Sequence, residues 1–412
     1  MKRVVVTGMG LITPIGNNIN ESWKNLISGI SGVGNITKFN SQSFLTKIAA
    51  EIKKFSPSDF LKAKDIRRLS LFAQYGVVAG IAAIEDSMML TYPELNKEKI
   101  GIITGTSRGA FSSLEQVKDV FNIKGFKSIS PFFIPGSMNS AINGYLSIYY
   151  GLKGINYNIS NGCVSGNQAI GEAVRHIQSG NATIMIAGGA ESPITPLIIS
   201  GYNACKALSI QNEKPQLAAK PWDKNRDGFV MGEGAGMLIL EEYTHAVKRK
   251  AKIYAELIGY ASNSDASHIT TPSFEGTSRC LQLALENAQI TPEMVQHINA
   301  HGTSTFLGDK NETNAIKNVF GHHAYKLAVC STKPMTGHLL GAASAIEAIF
   351  TVLTVKNDIV PPTINLFTAD PECDLNYVTK VAKKIPIKYA MNNSFGFGGV
   401  NAVVIFKKYE HP

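Results

Sequence analysis

Two stretches of this chain, residues 157–173 and 327–348, follow one plan, and that plan limits the folds open to it. In the first, a short extended run leads into the turn Asn161-Gly162-Cys163-Val164-Ser165-Gly166. A helix follows, with Ala169, Ile170, Ala173, Val174 and Ile177 at helical spacing. In the second, a strand at 327–331 and a turn at 332–337 precede His338, which is expected to open a helix running to residue 355. The two helices carry the related runs Ala169-Ile170-Gly171-Glu172-Ala173 and Ala345-Ile346-Glu347-Ala348. Strand, turn, reactive residue and helix, used twice, predict two pseudo-equivalent halves with reactive side chains at matching strand ends.

The rest of the chain agrees. Strands are expected at 3–7, 100–105, 182–187, 234–240, 253–259, 295–300 and 402–406, and helices at about 20–28, 66–89, 112–121, 138–150 and 277–288. Helix 66–89 has the broad apolar face of a core element, and residues 221–229 read as an ordered polar loop. Such alternation predicts a layered α/β architecture.

With 412 residues, 44% of them hydrophobic and only 17% charged, the chain can bury a large core and is not disordered. The net charge of +9 includes clusters at Lys62, Lys64, Arg67 and Arg68 and at Lys248, Arg249, Lys250 and Lys252. Neither cluster has interleaved aromatics, which points to an acidic macromolecular partner and away from nucleic acid. Five cysteines without C-x-x-C spacing indicate neither a disulfide framework nor a zinc site, as expected in a reducing cytosol. Gly8, Gly10 and Pro14 interrupt the apolar start, so it reads as a buried strand and not a signal peptide. No apolar run reaches the ~20 residues that cross a membrane.

Cys163 is expected at a helix N-terminus, where free N–H groups and the peptide dipoles favour a thiolate. The alternative is a buried structural cysteine, the commoner fate of a free one. A nucleophilic cysteine needs groups that handle protons and negative charge. Of nine histidines, His301 follows a buried strand and His338 follows Gly337, whereas His322, His323 and His411 read as structural or surface groups. Lys333, one turn before His338, is placed to charge-tune such a site. The glycine-rich run Phe395-Gly396-Phe397-Gly398-Gly399 suits either a tight turn or an oxyanion hole built from backbone N–H groups.

Three runs taken together resemble the β-ketoacyl-acyl-carrier-protein synthases of the type II elongating class. They are Asn299-Ala300-His301-Gly302-Thr303-Ser304-Thr305, Ser331-Thr332-Lys333-Pro334-Met335-Thr336-Gly337-His338, and Asn393-Ser394-Phe395-Gly396-Phe397-Gly398-Gly399. Supporting matches are Val4-Val5-Val6-Thr7-Gly8-Met9-Gly10, Arg226-Asp227-Gly228-Phe229 and Pro361-Pro362-Thr363-Ile364-Asn365, so that the resemblance spans essentially the whole chain.

The resemblance implies an α/β thiolase-like fold: two βαβαβαββ halves in α-β-α-β-α layers, residues 1–251 carrying the nucleophile and 252–412 the catalytic histidines. It implies that Cys163, His301 and His338 are catalytic, with the N–H groups of Cys163 and Phe397 as oxyanion hole and Phe397 also as gate. Lys333, Asp309 and Glu312 become supporting residues, and Thr303 and Thr305 contacts for phosphopantetheine. Arg108, Phe133, Gly162 and Tyr202 become acyl-pocket residues, and Arg67, Arg68, Lys124, Lys127 and Lys206 the face for an acidic acyl carrier protein. The same resemblance implies no metal or organic cofactor, a cytoplasmic location, and a homodimer joined near residues 155–160 or a heterodimer with a chain-length factor.

The sequence departs from the family around the nucleophile, where Asn161-Gly162 replaces the usual alanine-containing run, and at Arg108 and Tyr202, where apolar residue and phenylalanine are usual. A costly unpaired arginine in an acyl channel should turn to solvent or find a polar partner. These departures keep open a specialised synthase of a reducing type II polyketide or aryl-polyene pathway. A non-catalytic chain-length factor would lack the nucleophile, a Cys/His hydrolase would leave the second histidine and Lys333 without tasks, and a degradative thiolase would need a second cysteine near residues 395–397.

Overall fold

The computed structural model describes residues 1–410; His411 lies outside them. Ten strands form one mixed sheet: β1 Val4–Ile12, β2 Ile100–Gly105, β3 Asn156–Ile159, β4 Ile184–Glu191, β5 Gly234–Glu242, β6 Ala255–Ser264, β7 His297–Asn299, β8 Ala328–Cys330, β9 Tyr389–Gly396 and β10 Val400–Lys408. Their spatial order is β8-β7-β9-β10-β6-β1-β5-β4-β2-β3. The first five and the last five have matching orders, and the two half-sheets meet where Val4, Val5 and Val6 of β1 pair with Leu257, Glu256 and Ala255 of β6.

Five helices complete the layers: α1 Leu71–Ser87, α2 Ser165–Gln178, α3 Phe274–Ala288, α4 Phe306–Phe320 and α5 Ala343–Asn357. α1 covers the outer face of the first half and α3, backed by α4, that of the second. Between the half-sheets lie α2 and α5, which pack on each other and on strands of both. This gives the expected α-β-α-β-α stacking. α5 is buried on every side from Ala343 to Val355, as a helix between two sheets must be, its polar residues Ser344, Glu347, Thr351 and Thr354 included. α2 approaches β6 so closely that a Cβ on Gly171 would lie 2.2 Å from the Tyr260 ring, so only glycine fits there.

Several element boundaries differ from the sequence reading. α1 begins only at Leu71, after a separate turn at Ala63–Ile66, and helices Pro196–Ala204 and Phe306–Phe320 were not expected. His338 does not open α5. Gly337 at φ 71° ends the short helix Lys333–Thr336, Leu340 at φ 50° breaks the chain again, and α5 starts five residues beyond the histidine. Residues 221–229 are a polar loop as expected, with Trp222 buried and stacked at 4.0 Å on Tyr377.

Candidate active site

β3 ends at Ile159, and the chain reaches Cys163 in the single 3-10 turn Gly162–Val164 that feeds α2. Two hydroxyls of the second half fix this turn: Ser394 Oγ donates to the Cys163 carbonyl at 3.0 Å and Ser344 Oγ at 3.3 Å. Ser344 also accepts the Asn167 N–H. Gly162 sits at φ 58°, where a Cβ would meet only the Phe397 carbonyl, at 3.6 Å. The departures in this run form a chain of their own, Asn161 Nδ2 donating to Gln168 and Gln168 Nε2 to Ser262 Oγ.

His338 is held by the first half in return. Its N–H donates to the Val230 carbonyl at 2.7 Å and its carbonyl accepts the Gly232 N–H at 2.9 Å. His301 follows β7, and the Glu312 carboxylate on α4 fixes its loop by accepting the N–H groups of His301 and Gly302, each at 2.9 Å. The two imidazoles meet edge to face with centroids 5.3 Å apart, and Phe229 lies edge-on to His338.

These supports bring three reactive atoms together. His338 Nε2 is 3.1 Å from Cys163 Sγ, and one nitrogen from each histidine and the sulfur all lie within 4.8 Å of one another. Among the described residues this is the one cluster with donor atoms close enough to hold a metal. Nδ1 is buried without a partner in both rings, which leaves Nε2 to face the chemistry at His338.

The charge states follow from burial. Both imidazoles are held well below their ordinary range, first by desolvation and then by the Lys333 ammonium, so they are neutral near pH 7. The expected thiolate is corrected by the structure. The field at a partly buried helix end is worth at most about 2 kcal/mol, less than a hundredfold change in acidity, whereas burial pushes the Cys163 thiol up to about 12 despite the nearby Lys333. The free site therefore holds a thiol, with His338 Nε2 in place to take its proton.

Lys333 is buried and pairs with Glu347 Oε1 of α5 at 2.5 Å. Burial pushes Glu347 up to about 7 against that pull. Glu347 stands inside the Ala-Ile-Glu-Ala run, and its only sequence signal is that it is the one acid in a largely apolar helix. Asp309 supports the neighbouring loop, accepting the N–H groups of Trp222 and Ser304 and lying 3.4 Å from buried Arg226. The supporting roles of Ser344, Ser394 and Val230 left no trace in the sequence, because common hydroxyls and a backbone carbonyl carry none.

A cavity of about 370 Å³ opens on the three reactive residues and is also lined by Tyr202, Lys206, Thr303, Thr305 and Phe397. The Phe395–Gly399 run crosses beside the nucleophile: a Cβ on Gly396 would lie 3.3 Å from the Cys163 nitrogen. Phe397 is exposed and stacks on Tyr202 at 6.3 Å, and its loop is tied to residues 265–269 through the Gly398 N–H on Ile269 and the Asp265 N–H on Gly399. Of the four expected acyl-pocket residues only Tyr202 is in the lining; Arg108, Phe133 and Gly162 lie outside it. Arg108 is exposed and donates to the Tyr202 hydroxyl at 3.3 Å, meeting both terms of the sequence expectation, while Phe133 is half-buried on the outer helix Phe133–Ser137. Arg67, Arg68, Lys124 and Lys127 are exposed away from the lining.

Comparison with known proteins agrees with this geometry. Residues 1–246 match the family described as Beta-ketoacyl synthase, N-terminal domain, and residues 254–367 its C-terminal domain. The chain is 46% identical over 410 residues to 3-oxoacyl-[acyl-carrier-protein] synthase 2 of Vibrio harveyi, covering 99% of each chain. It is also 46% identical over 411 residues to the protein of that name from Staphylococcus aureus, again covering 99% of each chain. Among solved structures, the ketosynthase complex AntDE:AntF, a type II PKS acyl-carrier protein with its ketosynthase, superposes with TM-score 0.90 at 36% identity, over 99% of this chain and 100% of that one. The ishigamide ketosynthase/chain length factor does so with TM-score 0.92 at 31% identity, over 99% and 100%. The chain belongs to the β-ketoacyl synthase family.

Proposed function

We propose that this protein is a 3-oxoacyl-[acyl-carrier-protein] synthase that lengthens acyl chains by two carbons in fatty acid biosynthesis. The observation that carries the reading is the convergence of Cys163 Sγ with two neutral imidazoles inside one cavity. Cys163 attacks the thioester of an acyl carrier protein as His338 Nε2 takes its proton; the carrier thiol leaves protonated and the acyl group stays on Sγ. The N–H groups of Cys163 and Phe397 stabilise the oxyanion, a role supported by the close passage of the Gly396 backbone.

In the second half-reaction, malonyl carrier protein enters and the neutral histidines donate hydrogen bonds to its thioester carbonyl. Breaking the bond to the carboxylate releases CO2 and leaves the electron pair as an enolate. Its carbon attacks the acyl-Cys163 thioester and the sulfur departs to be protonated again. Side chains move the protons and hold the charge in this scheme, and the one proton consumed when the Cys163 sulfur is protonated again comes from solvent, so the reading includes no cofactor. Thr303 and Thr305, whose hydroxyls are 3.0 Å apart in the cavity wall, are assigned to the pantetheine arm. Lys206 at the cavity, with exposed Arg67, Arg68, Lys124 and Lys127, is assigned to an acidic carrier. The edge strand β3 and the exposed Phe132, Ile134, Met138, Ile148 and Tyr149 support a dimer through this face.

The test is reconstitution with acyl and malonyl carrier proteins. The proposal expects stoichiometric CO2 and a carrier-bound 3-oxoacyl product two carbons longer; acyl hydrolysis without chain growth would contradict it. A specialised ketosynthase working with a chain-length partner is the second reading, favoured by the Arg108–Tyr202 contact, and would show growth only when that partner is added.

A further inference from the structure

Cys163 Sγ and one nitrogen from each of His301 and His338 lie within 4.8 Å of one another, with His338 Nε2 3.1 Å from the sulfur, and no carboxylate belongs to the group. A tetrahedral zinc ion bonded to sulfur at about 2.3 Å and to imidazole nitrogen at about 2.0–2.1 Å holds such atoms about 3.5 Å apart. That spacing falls between the 3.1 Å contact and the 4.8 Å limit of the cluster. The backbone carrying the three donors is already fixed: Ser344 and Ser394 hold the Cys163 carbonyl, Val230 and Gly232 hold His338, and Glu312 holds the His301 loop. A metal therefore meets preorganised ligands, and little ordering has to accompany its binding. All three residues line the cavity, which leaves a fourth position open, the arrangement of three protein donors plus one exchangeable site. Lys333, whose charge reaches both rings, is matched by Glu347 Oε1 at 2.5 Å, which weakens the repulsion a dication would meet there.

We propose that Cys163, His301 and His338 form a reversible inhibitory site for a divalent cation of the zinc class. The inference goes beyond the acyl-transfer reading and rests on it only for what the metal stops. On binding, the thiol proton passes to solvent, the sulfur bonds to the metal as a thiolate, and each imidazole gives a nitrogen lone pair; nothing is oxidised or reduced. The sulfur electron pair that would attack a thioester is then engaged, and so is the nitrogen that would take the thiol proton, so acylation stops. Both rings are withdrawn from the malonyl carbonyl as well. One thiolate with two imidazoles suits Zn2+ and Co2+, whereas Mg2+ and Ca2+ require oxygen donors that the cluster lacks. The metal is thus an inhibitor and takes no part in catalysis.

The test titrates the metal-free protein with Co2+ and then with Zn2+. One equivalent of Co2+ should give the ultraviolet thiolate-to-metal charge-transfer band together with the visible bands of a tetrahedral ion. Zn2+, which favours tetrahedral sulfur and nitrogen ligands and has a filled d shell, should bleach both. Cys163→Ala should lose the charge-transfer band, its malonyl decarboxylation reporting that the protein is folded. His301→Ala should weaken Co2+ binding at least ~10-fold. Cys205→Ser, which removes the exposed thiol in the wall of the same cavity, should keep the band. Saturating Zn2+ should slow acylation of Cys163, followed by intact mass, ~100-fold or more, because nucleophile and base are both taken. EDTA should restore the rate, and Mg2+ at the same concentration should leave it unchanged. Absence of the charge-transfer band, its survival in Cys163→Ala, its loss in Cys205→Ser, or acylation at the metal-free rate in saturating Zn2+ overturns the proposal. Failure of the metal-free protein to acylate, with no growth on carrier proteins, sinks the acyl-transfer reading instead, and the cobalt band still decides the metal site.

Discussion

The two strand–turn–helix units have the same place in the two halves and opposite means of support. After β3 the chain reaches Cys163 in one tight turn and enters α2 directly, and among the described residues no ion pair braces that turn. After β8 it inserts the helix Lys333–Thr336, the residues around His338 and a further 3-10 turn before α5, and it braces this longer path with the buried Lys333–Glu347 pair. The anchors cross over: Ser344 and Ser394 of the second half hold the Cys163 carbonyl, while Val230 and Gly232 of the first hold the backbone of His338. The short distance between sulfur and imidazole is therefore a property of the seam between halves, belonging to neither alone.

The largest expected effect concerns the unit with the ion pair. Lys333→Met leaves Glu347 buried without its partner, and breaking one side of such a pair costs about 3–5 kcal/mol. Chemical denaturation should show that loss, and Glu347→Gln in the same chain should recover part of it. If Lys333→Met were neutral, the long connection would not depend on the pair and the contrast between the units would collapse. Next is the seam. Ser344→Ala removes the bonds to the Cys163 carbonyl and the Asn167 N–H and should cost about 1–3 kcal/mol, with slower acylation and unchanged malonyl decarboxylation.

Gly396→Ala acts at the nucleophile alone. Its Cβ would come 3.2 Å from Val400 Cγ2 and 3.3 Å from the Cys163 nitrogen, so it should lower acylation ~10-fold with little change in melting temperature. The smallest effect sharpens the charge assignment. With the free thiol near 12, alkylation of Cys163 by iodoacetamide should accelerate about tenfold per pH unit from pH 7 to 10, because the thiolate fraction rises at that rate below the pKa. A plateau below pH 9 would restore the helix-end thiolate that the sequence suggested.

What the sequence discloses is the chemistry borne by rare residues in unusual settings. Cys163 at a turn tip, His301 after a strand, and a glycine run at 395–399 all keep those places in the structure. The layered architecture was legible too, since period and alternation are local properties. Helix starts were less so: nothing local shows that Gly337 and Leu340 take positive φ and delay α5, because that depends on the packing of His338 against Val230 and Gly232. The thiol's protonation was misread for a related reason. The helix end is visible in sequence, whereas the desolvation that outweighs it exists only once both halves have closed around the sulfur.

The central claim, that Cys163 carries the acyl group while the paired histidines drive decarboxylation, is tested most directly by assaying both half-reactions on Cys163→Ala and His301→Ala. Intact mass follows the acyl adduct, and CO2 release from malonyl carrier protein follows decarboxylation. The account predicts that His301→Ala still gains the acyl mass at Cys163 but releases CO2 ~100–10,000-fold more slowly, and that Cys163→Ala gains no acyl mass yet still releases CO2. Loss of acylation in a folded His301→Ala protein, or CO2 release unchanged by it, would contradict that division of labour.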